Sequence, residues 1–145
     1  MKFDEMATQP PPAPPTPGLA LVIDDVEVNR ILARTHLEML GWRVEEAEDA
    51  MRALRLMHDF TPELMIIDVR MPGLSGDVLA RRVRTMLGPA IQMVGYTAHC
   101  MQDEINQLLN CGFDRILIKP VSFAQMADAA GSPAGARLHS TPVFS

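Results

Sequence analysis

The sequence predicts an α/β fold: a doubly wound sheet of five parallel strands in the order 2-1-3-4-5, with helices on both faces. Short apolar runs alternate five times with segments of helical period, which is the pattern of repeated βα units. Right-handed crossovers allow few arrangements of five parallel strands, and 2-1-3-4-5 is a common one. A chain of 145 residues with 48% hydrophobic composition can fill one core of ordinary domain size.

The elements follow in order. Residues 10–17 read PPPAPPTP and hold six of the twelve prolines, an extended polyproline-like stretch that suits a linker or leader better than an SH3-type ligand. Residues 1–17 are therefore expected to be a disordered proline-rich arm, 18–130 the folded domain, and 131–145 a flexible tail rich in Gly, Ser and Pro. Strand one is Ala20 to Asp24. Helix one places Val28, Ile31, Leu32, Thr35 and Met39 on one face and stops at Gly41. Strand two is Trp42 to Glu46, and helix two repeats Ala50, Ala53, Leu54 and Met57 at helical spacing. Strand three is Leu64 to Asp68. Helix three caps at Ser75 and is expected to bury Leu79, Val83 and Met86, with Pro89 leading into strand four, Ala90 to Val94. Helix four runs from about Ala98 to Asn110 with Met101, Ile105, Leu108 and Leu109 inward, and Gly112 ends it. Strand five is Arg115 to Ile118. Ser122 and Gln125 form a capping-box pattern that opens a short helix five carrying Phe123, Met126 and Ala127.

Composition excludes several function classes. A net charge of −5 disfavours nucleic acid and a polybasic membrane anchor. No apolar run approaches the ~20 residues that cross a bilayer, and no secretory leader is visible, so a cytoplasmic location is expected. The two cysteines, Cys100 and Cys111, lack CxxC or clustered-His spacing and read as ordinary thiols. Most of the eleven methionines fall on the inward stripes above and are expected to fill core, with Met71 and Met101 near loops and exposed.

The polar residues converge. The 2-1-3-4-5 order puts strands one and three side by side at the topological switch point, where α/β sheets bind ligands at the carboxyl ends of their strands. Strand one ends in Asp24 and Asp25, strand three in Asp68. Taken singly, Asp24 and Asp25 are explained as helix caps and Asp68 as the start of a turn; together they make a site. Carboxylates ~4 Å apart repel by about 4 kcal/mol per pair at an effective dielectric near 20, so the cluster needs a cation or must hold a proton. Magnesium suits oxygen ligands with retained waters and a shared phosphate. Lys119 is one of only two lysines beside eleven arginines. It ends strand five with Pro120 holding it out of helical geometry, so it should face the same edge. There it could pair with Asp68 or with a phosphoryl oxygen, and a structural ion pair would use the same geometry. Thr97, after strand four, either donates its hydroxyl to an anion or simply caps helix four.

These residues, in LVIDD at 21–25, IIDVRMPGLSG at 66–76, GYTA at 95–98 and ILIKP at 116–120, make the chain resemble a response-regulator receiver domain of two-component signalling over roughly Leu19 to Ala130. The resemblance implies a flavodoxin-like (βα)5 domain in which Asp68 takes a phosphoryl group from a phosphohistidine of a histidine kinase or histidine phosphotransfer protein. It implies that Asp25 and Asp68 ligate Mg2+ directly, that Asp24 acts mainly through water, that the backbone carbonyl of Arg70 is a third protein ligand, and that Thr97 and Lys119 hold the phosphoryl oxygens. The loop after strand four would then move inward on Thr97, shifting a two-state equilibrium. The altered surface runs from strand four and helix four to helix five and speaks to a downstream protein.

Two departures from the family pattern stand out. Ile116 occupies the position three before the lysine, where many receivers carry an aromatic, and Tyr96 is a bulky neighbour to Thr97 expected to substitute for part of that aromatic's role. Arg70 and His99 should flank the phosphoryl group and set its lifetime. VEVNR at 26–30 and YTAH at 96–99 look like the receivers of hybrid sensor kinases, whereas Met1 and the proline arm suit a separate regulator. With few residues after helix five, output by protein contact is expected. A phosphatase of the haloacid-dehalogenase type also uses an aspartyl phosphate, but it would need DxD at strand one, where this chain has Asp24-Asp25. A degenerate receiver that serves as an interaction module without phosphorylation is the other alternative, and the complete acidic, hydroxyl and lysine set speaks against it.

Overall fold

A computed structural model describes residues 14–133. Its five parallel strands form one sheet in the order β2-β1-β3-β4-β5, as expected. The strands are β1 (Thr16–Ile23), β2 (Arg43–Ala47), β3 (Pro62–Asp68), β4 (Gln92–Thr97) and β5 (Arg115–Ile118). The helices are α1 (Glu27–Met39), α2 (Ala50–Leu56), α3 (Gly76–Leu87), α4 (Gln102–Asn110) and α5 (Phe123–Ala130). Most of the expected arm (1–13) and tail (134–145) lies outside the described residues. β1 begins at Thr16, inside the expected arm, where its amide donates to the Thr61 carbonyl at 2.6 Å. Gly88–Ala90 form a single 3-10 turn, so β4 starts later than expected and extends through Thr97.

Strand alternation divides the core. Ala20, Val22, Leu64, Ile66 and Val94 pack under α1 and α5 through Ala33, Leu37, Met126 and Ala129. Leu21, Ile23, Met65, Ile67 and Met93 pack under α2, α3 and α4 through Ala50, Ala53, Leu79, Val83 and Leu108. Both glycines expected to stop helices, Gly41 and Gly112, have positive φ, and the Ser122–Gln125 capping box is formed, with the Gln125 amide donating to Ser122 Oγ at 3.1 Å.

Several inward stripes are corrected. On α1 the expected apolar face is solvent-facing: Val28 is 70%, Ile31 51%, Leu32 46% and Met39 67% exposed, and Thr35 is also exposed. The helix is apolar on two sides, and the side that turns in is the one that also brings two arginines to Glu46 on β2. Arg30 Nε bonds Glu46 at 3.1 Å and Arg34 bonds the same carboxylate, while Arg30 Nη1 donates to the Asp24 carbonyl at 2.7 Å. This roll brings Ala33 and Leu37 onto the sheet. Met86 on α3, Met101 and Leu109 at α4, and Phe123 on α5 are likewise exposed. α4 starts at Gln102 rather than near Ala98, because Glu104 reaches back to accept the Met101 amide at 3.1 Å and so sets the first turn there. Methionine therefore fills core at Met65, Met93 and Met126 but lies on the surface at Met39, Met51, Met86 and Met101, and Met71, expected near the surface, is buried.

Candidate functional site

The carboxyl ends of β1, β3, β4 and β5 meet at one rim of the sheet. Counting by twos from the core residues of the α1–α5 face leads from Val22 to Asp24, from Ile66 to Asp68, from Val94 to Tyr96 and from Leu117 to Lys119. Four polar side chains thus finish the apolar columns of one face, where the sheet runs out of helix to cover it. Asp68 lies directly across from Tyr96 in the β3–β4 register.

Asp24, Asp25 and Asp68 each offer a carboxylate oxygen, all within 4.8 Å of one another. Asp24 is fully buried, Asp68 nearly so, and Asp25 is exposed. Neither Asp24 nor Asp25 caps α1, whose N-cap is Val26. Lys119 Nζ stands 3.1 Å from Asp24 Oδ2 and 3.5 Å from Asp68 Oδ1. Asp68 Oδ1 also accepts the Arg70 amide at 3.2 Å. Burial first, and the Asp24 charge second, push the Asp68 carboxyl up to about 6, against the pull of Lys119. Burial also acts to raise Asp24, but bonds from the Tyr96 hydroxyl, the Val26 amide and Lys119 outweigh it and hold that carboxyl below its usual value.

The donor set fits a hard cation. Three carboxylates share one lysine, which contacts Asp24 and Asp68, so the pocket carries excess negative charge that a hard cation would relieve.

The β3–α3 turn is drawn tight against the end of β3. The Gly76 amide donates to the Val69 carbonyl at 3.0 Å, and a Cβ on Gly76 would stand 2.2 Å from the Asp68 carbonyl oxygen. Thr97 is buried and ends β4, four residues short of the α4 N-cap, so it does not cap that helix. Its hydroxyl donates to the His99 carbonyl at 3.3 Å. His99 is exposed. The Arg70 guanidinium reaches away from Asp68 to Glu104 on α4, at 2.8 Å. Cys100 and Cys111 are free thiols lining a cleft of about 560 Å3 between α3 and α4.

Tyr96 corrects one expectation and takes a role in the pocket that sequence reasoning did not give it. It belongs to the α1–α5 face, whereas Ile116 packs on the opposite face above Gly95, where it and Phe113 fill the space a Cβ would need. Tyr96 therefore cannot stand in for an aromatic at 116. Its hydroxyl instead donates to Asp24 Oδ2 at 2.6 Å, and Lys119 Nζ lies 4.5 Å from its ring centre. Period-two counting along strand four, from Val94 to Tyr96, would have placed it on the pocket's face.

Residues 20–130 match the response regulator receiver domain family. The chain is 36% identical over 122 residues to the virulence sensor protein BvgS of Bordetella bronchiseptica, covering 79% of this chain and 10% of that protein. It is 35% identical over 104 residues to the sensor histidine kinase RcsC of Salmonella typhimurium, covering 72% and 11%. The chain thus spans about a tenth of the length of these relatives. Among solved structures, a response regulator receiver protein from Pseudomonas putida superposes with a TM-score of 0.71 at 28% identity, covering 79% of this chain and 95% of that one. A CheY-like receiver domain protein from Methanospirillum hungatei gives 0.72 at 19% identity, covering 90% and 100%.

Proposed function

Because this chain belongs to the response regulator receiver domain family, we propose that Asp68 accepts a phosphoryl group from a phosphohistidine of a sensor kinase or histidine phosphotransfer protein. The observation that carries this reading is the convergence of Asp24, Asp25, Asp68 and Lys119 in one pocket. Asp68 Oδ1 is engaged by the Arg70 amide and Lys119, so Oδ2 is the attacking oxygen. It forms the new O–P bond in line as the P–N bond to the donor imidazole breaks. The imidazole keeps that electron pair, and Asp68 becomes an acyl phosphate.

Asp25 and Asp68 would hold Mg2+ directly, with the Arg70 carbonyl, and Asp24 would act through water. Bound there, Mg2+ supplies positive charge to the phosphoryl oxygens, where phosphoryl transfer most needs it. Lys119 turns from the carboxylates to one of those oxygens. Thr97 gives up the His99 carbonyl for another, which draws in the non-helical segment 98–101 and alters the surface from β4 and α4 to α5.

The exposed apolar face of α1 supports a protein donor. Val28, Ile31 and Leu32 begin one turn beyond Asp25, and exposed Phe123 opens α5 just past Lys119. Such a patch rimmed by an acidic site suits the side of a helical histidine donor that must bring its phosphoryl group to Asp68. The domain acts as a signalling phosphoacceptor in the cytoplasm, with a downstream protein as its target. No helix among the described residues is long and apolar enough to cross a membrane. Incubation with acetyl phosphate and Mg2+ followed by intact-mass measurement tests the reading: one phosphoryl group should be added to the wild type and none to Asp68→Asn. Equal labelling of both proteins would overturn it.

A further inference from the structure

We propose that Tyr96 is a positioning residue of the acidic pocket: its hydroxyl holds Asp24 and its ring seats Lys119, so that Asp24 keeps its orientation when Lys119 leaves it. The contacts define this role. Asp24 Oδ1 accepts the Val26 amide at 2.8 Å. Oδ2 accepts both Tyr96 Oη at 2.6 Å and Lys119 Nζ at 3.1 Å. Asp24 is fully buried, and a buried carboxylate that loses its donors is costly. In the phosphoacceptor reading, on which the kinetic part of this proposal rests, Lys119 turns to the phosphoryl group. Tyr96 is then the side-chain donor left to Asp24. Its ring is itself held, 3% exposed, directly across the register from Asp68 on one side and Leu117 on the other. The packing around the buried ring resists a swing of the hydroxyl away from Asp24. The ring face seats the lysine where it bonds Asp24 at 3.1 Å and stands 3.5 Å from Asp68, so a short turn carries it from one carboxylate toward the other.

A double-mutant cycle tests this with Mg2+ alone as the probe. Titration calorimetry of the wild type, Tyr96→Phe, Asp24→Asn and the double variant should show Tyr96→Phe weakening Mg2+ about tenfold, the lower end of what outer-shell groups around a metal contribute. In the Asp24→Asn background the same change should cost less than about twofold, because the two residues act as one unit. Tyr96 is the chain's only tyrosine, so its ultraviolet difference band offers a second readout that needs no Tyr96 variant. Mg2+ should perturb that band in the wild type and not in Asp24→Asn. With acetyl phosphate, Tyr96→Phe should lower the maximal phosphorylation rate and leave the half-saturating concentration unchanged. A wild-type Mg2+ affinity in Tyr96→Phe, an equal loss in both backgrounds, or a silent tyrosine band would each overturn the proposal. Failure of the wild type to accept a phosphoryl group would overturn the Asp68 reading instead, and the Mg2+ cycle would still decide the role of Tyr96.

Discussion

The Arg70 guanidinium donates to the Glu104 carboxylate at 2.8 Å, tying the loop after Asp68 to the first turn of α4. Arg70 is two residues from Asp68, so a phosphoryl group there competes with Glu104 for the same cation. Glu104→Gln releases Arg70 toward the phosphoryl oxygens and should lengthen the acyl-phosphate lifetime about two- to fivefold, the scale of an exposed ion pair. Arg70→Ala should shorten it, and His99→Ala should alter it as well. Decay of the phosphorylated protein after removal of the donor measures all three, and unchanged rates in both the Arg70 and His99 variants would end this idea.

A second prediction concerns pH. Asp68 has its carboxyl raised to about 6 from its ordinary value of 3.8, by burial and then by Asp24. Between those values the folded state binds more protons than the unfolded chain, so this group makes stability fall as pH rises through the window. A cation reverses the penalty, since it binds the ionised form. Mg2+ affinity should therefore strengthen from pH 5 to pH 7, with proton release by calorimetry in the lower half of that range. Mg2+ should raise the melting temperature more at pH 7 than at pH 5. A pH-independent Mg2+ affinity would contradict the assignment.

Gly76 makes a third. A Cβ there would meet the Asp68 carbonyl at 2.2 Å and Val69 Cα at 2.8 Å, and both obstacles are backbone. Gly76→Ala should push α3 off the end of β3 at a cost of about 1–3 kcal/mol, the range for forcing atoms into a packed site. It should also slow phosphorylation by acetyl phosphate by displacing Asp68. Wild-type melting and labelling would show that the turn has slack.

The orientation of α1 yields a fourth. Leu37 is fully buried, whereas Leu32 is 46% exposed. Leu37→Ala should destabilise by about 2–5 kcal/mol, and Leu32→Ser should stay within about 0.5 kcal/mol. Ile31→Ser with Leu32→Ser should slow phosphoryl transfer from a partner histidine protein and leave labelling by acetyl phosphate unchanged. Loss of both activities would mean that the face supports the fold rather than a donor.

Strand order and the meeting of Asp24, Asp25, Asp68 and Lys119 were legible because both follow from chain order. Parallel crossovers have one hand, and each acid or lysine ends an apolar run whose direction the topology sets. The roll of α1 was not legible, since Val28, Ile31 and Leu32 form as good a periodic stripe as Ala33 and Leu37. The orientation adopted buries Ala33 and Leu37 and brings Arg30 and Arg34 to Glu46, on a strand that periodicity does not place beside them. The start of α4 escaped for a related reason: Glu104 recruits the Met101 amide, a local competition that apolar spacing does not register.

By itself, then, the sequence determined the βα repeat, the order of the sheet and the rim on which the acids gather, because apolar period and connection handedness are properties of the chain. Only the tertiary structure decided that Tyr96 bonds Asp24, that Thr97 rests on the His99 carbonyl and that Arg70 leans toward α4. Each of these is a choice among partners brought close by packing, and hydrogen bonds of a few ångströms are set by side-chain placement that no one-dimensional period contains.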